Sequence, residues 1–110
     1  MNHEIRFLIL DSGRCPFQEW LEAFRDIKAR AIVRTRIDRV SLGNFGNCRD
    51  LRSGLWELKI DFGPGYRVYF GKMGNQVVLL LTGGDKSSHV RDIITAKEYW
   101  RSFLAEEANK

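Results

Sequence analysis

The chain has 110 residues, 44% of them apolar and 12% aromatic, with 18 Lys and Arg against 14 Asp and Glu for a formal charge of +4. That is one domain's worth of chain with enough apolar material for a core, which excludes wholesale disorder. The longest apolar run, Val77 to Leu81, is far short of the ~20 residues of a membrane helix, and Met1-Asn2-His3-Glu4-Ile5 does not start like a signal peptide, so a soluble, cytoplasmic chain is expected.

Ile5 to Leu10 is a short apolar run, predicted as a first strand that Asp11-Ser12-Gly13 ends. Pro16 suits a first helical turn, and Phe17, Trp20, Leu21, Phe24 and Ile27 recur at three- and four-residue spacing, the stripe of an amphipathic helix. A second helix is expected from about Ala29, with Ile32, Val33, Ile37 and Val40 inward, ending at Ser41-Leu42-Gly43. Asn44 to Gly54 is polar and glycine-containing, hence a loop. The period then changes to two: Leu55–Ile60 alternates, Asp61–Gly65 turns, Tyr66–Phe70 alternates, Lys72–Asn75 turns, and Gln76 to Thr82 is a more fully buried strand. Gly83 to Ser88 is expected as a flexible loop. Val90, Ile93, Ile94, Lys97 and Leu104 mark a closing helix to about Glu106. The order is β-α-α-β-β-β-α, an α+β domain with a small, mainly antiparallel sheet packed by helices on one face, read as a single domain over 1–110.

Chemistry is concentrated in the hairpin. Pairing Ile60 with Tyr66 sets Lys59 opposite Arg67 and Glu57 opposite Tyr69, with Trp56, Leu58, Val68 and Phe70 on the core side. A one-residue slip would drive both cations into the core, so the pattern selects this register. Two facing cations repel unless an anion lies between them. Arg67 can hold a phosphate through two N–H groups and Lys59 adds a compact charge, while Glu57 and Tyr69 can move a proton or stack a base. The competing reading is a solvated outer strand face with loose pairing around Glu57. Lys86, at the end of the last strand, can reach the same face, and Asp85 or Ser88 suits a helix cap.

Residues 25–39 carry six positive and two negative charges, matching the whole chain's excess. Arg30, Arg34, Arg36 and Arg39 there suggest a phosphate-binding helix face, the alternatives being a solvated surface or one docking an acidic protein. Cys15 and Cys48 form no framework, and neither they nor His3 and His89 make a metal-ligand pattern, so no metal and no cofactor is expected.

The run Ser41–Gly46, then Leu55-Trp56-Glu57-Leu58-Lys59-Ile60, then Gly63-Pro64-Gly65-Tyr66-Arg67-Val68-Tyr69-Phe70 and Leu79-Leu80-Leu81-Thr82-Gly83-Gly84-Asp85-Lys86-Ser87 resembles the RelE/ParE toxin superfamily. The likeness is greatest to its HigB-like, phage-derived "addiction module killer protein" branch. It implies the toxin of a type II toxin–antitoxin system, a cytoplasmic, metal-independent endoribonuclease cleaving mRNA on the ribosome. The implied partners are the ribosome, mRNA and a cognate antitoxin, often a helix-turn-helix protein, with operator DNA reached only through that complex and no membrane. The family's sheet arginine matches Arg67, its sheet lysine Lys59, and a further basic residue falls at Lys86. Glu57 stands where some members carry a second lysine, and their functional tyrosine falls near Asp92, leaving Tyr69, Tyr99 or His89 to substitute.

The implied chemistry is attack of a ribose 2′-OH on the adjacent phosphodiester. Arg67 and Lys59 would stabilise the growing charge, Glu57 would act as base, and Tyr69 or His89 as acid; Lys59 as base is the variant. Inhibition of DNA gyrase without nuclease activity, and a non-catalytic RNA- or protein-binding module, are the alternatives.

Overall fold

The computed structural model describes residues 2–110. The fold is α+β: β1 (Glu4–Phe7), α1 (Pro16–Glu22), α2 (Ile27–Ser41), β2 (Cys48–Asp50), β3 (Leu55–Ile60), β4 (Tyr66–Met73), β5 (Val77–Asp85), a 3₁₀ turn (Lys86–Ser88) and α3 (His89–Ala108). The five strands form one sheet in the order β1-β5-β4-β3-β2. β1 runs parallel to β5, and the other neighbours are antiparallel.

Local chemistry places the ends of the helices. Proline opens α1. Asp26 caps α2, its carboxylate accepting the Lys28 N–H at 2.9 Å. At the other end Gly43 takes φ +90°, which lets the Gly43 and Asn44 N–H groups reach the Val40 and Arg39 carbonyls.

Two apolar clusters flank the sheet. Phe17 and Leu21 of α1 and Val33 and Val40 of α2 pack on Leu58, Val68, Phe70, Val78 and Leu80. On the other face Ala96 and Trp100 of α3 pack on Leu55, Tyr69, Leu79 and Leu81. The helices therefore cover both faces, correcting the one-face arrangement expected from the sequence. The hairpin's outer face is a second core, because α3 crosses it.

Further corrections concern lengths and faces. α1 stops before Phe24, and Ile27 is 76% exposed. The stretch 44–54 contains β2, paired with β3. Gly83 and Gly84 belong to β5, opposite Val68 and Arg67, and are buried. They carry no side chain because Trp20 lies against Gly83 and the Asp92 carboxylate against Gly84, where a Cβ would collide with either. Between Tyr69↔Thr82 and Phe70↔Leu80, β5 holds one extra residue. Such a bulge inverts the alternation, so Leu79 and Leu81 face α3 while Gly83 faces α1. In α3 the inward residues are Ile93, Ala96, Trp100 and Phe103, whereas Val90, Ile94 and Leu104 are 74%, 55% and 40% exposed. A single Trp against Gly71 outweighs three aliphatic side chains in choosing the buried face.

No helix among the described residues is long and apolar enough to cross a membrane.

Candidate functional site

β3 and β4 pair as the alternation requires: Lys59 lies opposite Arg67, Glu57 opposite Tyr69 and Ile60 opposite Tyr66. β2 adds Arg49 opposite Glu57 from the other side. Arg49 carries no signal in the sequence alone, because the polar, glycine-containing run 44–54 reads as a loop.

Glu57 is fully buried, the one buried charged residue among the described residues. A carboxylate removed from water must be paired with cations or hydrogen-bond donors. Its Oε2 lies 2.8 Å from His89 Nε2. Its Oε1 lies 3.7 Å from both Arg67 Nε and Arg49 Nε, near enough for charge attraction but too far for a hydrogen bond. The side chains of Arg67, His89 and Arg49 are 14%, 25% and 49% exposed, so charge passes outward in steps from a buried anion to a wet cationic rim.

Directly behind lies Tyr69, also fully buried. Neither its hydroxyl, Glu57 Oε1 nor Arg67 Nε and Nη1 has a hydrogen-bond partner. Burial, reinforced by the Glu57 and Asp92 carboxylates and opposed by Arg67, pushes the Tyr69 phenol well above its usual value.

The segment from Gly83 to Asp92 positions the imidazole. Asp85 accepts the Ser87 N–H at 2.8 Å and starts the 3₁₀ turn, which delivers His89 as the first residue of α3. Ser88 donates to Asp92 at 2.5 Å beside Gly84. In the neutral ring, donation of the Nε2–H to Glu57 leaves the lone pair on Nδ1. Arg67, Lys86, Ser87, Ser88, His89 and Arg91 border a groove of ≈ 680 Å³.

The residues singled out from the sequence are thus sorted. Glu57, Arg67, Tyr69 and His89 form one cluster, Lys59 stands half-buried beside Arg67, and Lys86 is exposed at the groove's mouth. Burial overturns the open setting expected for Glu57 and Tyr69: neither can touch a ligand in the groove directly. Of Tyr69, Tyr99 and His89, it is His89 that borders the groove. Tyr99 lies on the other side of α3, against Phe7 to Asp11.

The α2 arginines do not form one face. Arg36 donates to the Phe45 and Lys59 carbonyls at 3.4 and 3.5 Å, tying α2 to β3, and Arg30 donates to the Phe24 carbonyl at 2.7 Å. Arg34 and Arg39 are exposed but about 140° apart around the helix. Cys48 is likewise structural: its thiol donates to the Phe45 carbonyl at 3.2 Å, and burial pushes its pKa up. Among the described residues no group of three or more His, Cys, Asp and Glu is placed to hold a metal ion.

Fold and site together define a small α+β domain in which a buried Glu–His pair backs a cationic surface groove. No protein-family model matches the chain. Over 81 residues it is 43% identical to an uncharacterised protein of Haemophilus influenzae, across 74% of this chain and 82% of that one. The chain belongs to the same family as that Haemophilus protein.

Proposed function

We propose that the protein is a cytoplasmic toxin of the RelE/ParE kind, a metal-independent endoribonuclease that cuts ribosome-bound mRNA and is held by a cognate antitoxin. The observation that carries this reading is Glu57 bonded to His89 at 2.8 Å beside Arg67, at a groove whose other cations are Lys86 and Arg91.

RNA cleavage without a metal needs a base for the 2′-OH, positive charge for the crowded phosphate, and a proton for the leaving 5′ oxygen. His89 Nδ1 takes the 2′ proton as the 2′ oxygen bonds to phosphorus, and Glu57 holds the ring and stabilises the imidazolium. The P–O5′ bond then breaks, leaving a 2′,3′-cyclic phosphate, with the Lys86 ammonium the proton donor at the groove's mouth. Arg67, whose side chain is 14% exposed at the groove with its buried Nε toward Glu57, stabilises the phosphoryl charge electrostatically, and Lys59 adds charge. The base is thus moved from Glu57 to His89, since a carboxylate with no exposed surface orients rather than attacks. Tyr69, equally buried, is removed from the acids.

The test is His89→Ala and Arg67→Ala, each assayed with purified ribosomes and a 5′-labelled mRNA. Both substitutions should abolish cleavage, and His89→Ala should leave ribosome co-sedimentation intact. Cleavage by a folded His89→Ala protein at the wild-type rate would remove the mechanism. Intact mRNA together with DNA damage on expression would point instead to gyrase.

A further inference from the structure

The outward flank of α3 carries a feature that the core does not use. Val90, Ile94, Lys97, Arg101, Leu104 and Ala108 succeed one another at spacings of four, three, four, three and four. All six are exposed. That spacing is the seam of a coiled coil, and it covers about 80° of the helix surface. From Val90 to Leu104 it extends about 21 Å at 1.5 Å per residue. Its ends are apolar and its middle holds two cations, neither of which makes an ion pair among the described residues. Arg52 stands beside Lys97 and Arg101 around a hollow of ≈ 410 Å³, which deepens the positive centre.

We propose that this seam docks an acidic amphipathic helix of a partner protein, whose apolar residues meet Val90, Ile94 and Leu104 and whose carboxylates meet Lys97 and Arg101. Charge complementarity selects the occupant. A second copy is excluded by its own pattern. Antiparallel self-packing that matches Ile94 with Leu104 sets Lys97 against Arg101, and parallel packing sets each cation against itself. Nucleic acid would answer the cations but leave three regularly spaced apolar side chains without a counterpart. An acidic helix satisfies both halves of the pattern.

The seam runs into the catalytic groove, since Val90 and Ile94 border it together with His89 and Arg67. An occupant therefore closes the groove's α3 side, and that consequence for catalysis rests on the nuclease reading above. Binding itself does not.

The probe is a fluorescein-labelled, 20-residue synthetic helix with Leu at the end positions of its seam and Glu at the two central ones. A twin carries Lys at those two positions. With the full-length protein the Glu peptide should bind at least about tenfold more tightly than the Lys peptide by fluorescence anisotropy. Lys97→Glu/Arg101→Glu should reverse the preference, and amide resonances of Val90 to Leu104 should move on titration of the wild type. Should the double variant misfold, Lys97→Ser/Arg101→Ser should remove the discrimination without reversing it. Equal affinity for the two peptides, or resonance shifts confined to other elements, would overturn the proposal. So would displacement of the Glu peptide by a single-stranded RNA 20-mer that shifts the same resonances. Anisotropy needs no turnover, so loss of the nuclease reading in the ribosome assay and loss of this one are separately visible.

Discussion

Replacing Gly71 by alanine tests how the sheet holds α3. An added Cβ would fall within 2.5 Å of three atoms of the Trp100 ring, where ordinary contact begins near 3.4 Å. Trp100 cannot swing away freely: it is 4% exposed, its indole N–H donates to the Ser53 carbonyl at 2.8 Å, and its ring stacks on Phe103. Overpacking of this kind costs about 1–3 kcal/mol, and giving up the indole hydrogen bond adds about 1 kcal/mol. The backbone of Gly71 is not left-handed, so alanine regains up to about 1 kcal/mol through the unfolded state. The net loss is therefore about 1–4 kcal/mol. With a urea slope of about 1.5 kcal/mol per M, the unfolding midpoint should fall by about 0.7–2.7 M. Combining Gly71→Ala with Trp100→Leu should cost at least about 1 kcal/mol less than the two separate losses together, because one substitution makes the room the other lacks. A Gly71→Ala midpoint within error of the wild type, with unaltered tryptophan fluorescence, would refute the close packing of α3 on β4.

Three other outcomes follow from single side chains. The Tyr69 hydroxyl is buried without a hydrogen-bond partner, so Tyr69→Phe should be neutral or stabilise by up to about 1 kcal/mol in thermal melts. Because the folded state holds the Tyr69 proton more tightly, its contribution is complete below pH ~10 and lost as pH rises further, so the variant should resist alkaline unfolding better. The Asp85 carboxyl is held below its ordinary value, first by the Ser87 hydroxyl and then by the Ser87 and Ser88 N–H groups. Its contribution is present above the ordinary carboxylate range and disappears as pH falls through the lowered value. Asp85→Ala should accordingly cost about 0.5–1 kcal/mol at neutral pH, and the gap to wild type should vanish in strong acid. Burial holds the Cys48 thiol protonated, so its iodoacetamide labelling at pH 8, identified by the Cys48→Ser variant, should be at least about tenfold slower in native protein than in guanidinium.

The hairpin was legible in the sequence because its alternation carries a penalty: a slip of one residue buries Lys59 and Arg67. The covering of that hairpin was not. Nothing in Leu55 to Phe70 distinguishes a solvated face from one crossed by a helix, and Glu57 looked like surface charge. The deciding residues lie elsewhere: Gly71 makes room for Trp100, and Gly84 for Asp92. Glycines in the last strand suggested flexibility when they answer to packing. Likewise Val90, Ile94 and Leu104 share a helical flank in the sequence, but periodicity names a stripe without saying what it faces. The excess charge of residues 25–39 was real as a sum, yet Arg30 and Arg36 spend theirs on backbone carbonyls. The cationic rim of the site is assembled instead from Arg49, Arg67, Lys86 and Arg91, scattered along the chain.

The parallel pairing of Glu4–Phe7 with Val77–Leu80 joins the first strand to be synthesised to the last. Edge strand β1 has no other neighbour in the sheet, so it waits for nearly the whole sheet to be translated before it can settle. His89, in the element after that, is later still. A nascent or truncated chain ending short of it holds Glu57 and Arg67 but lacks the imidazole that completes the cluster. On the toxin reading proposed above, that order is a safeguard: a partial chain carries the buried carboxylate and its arginine without the imidazole that acts as base.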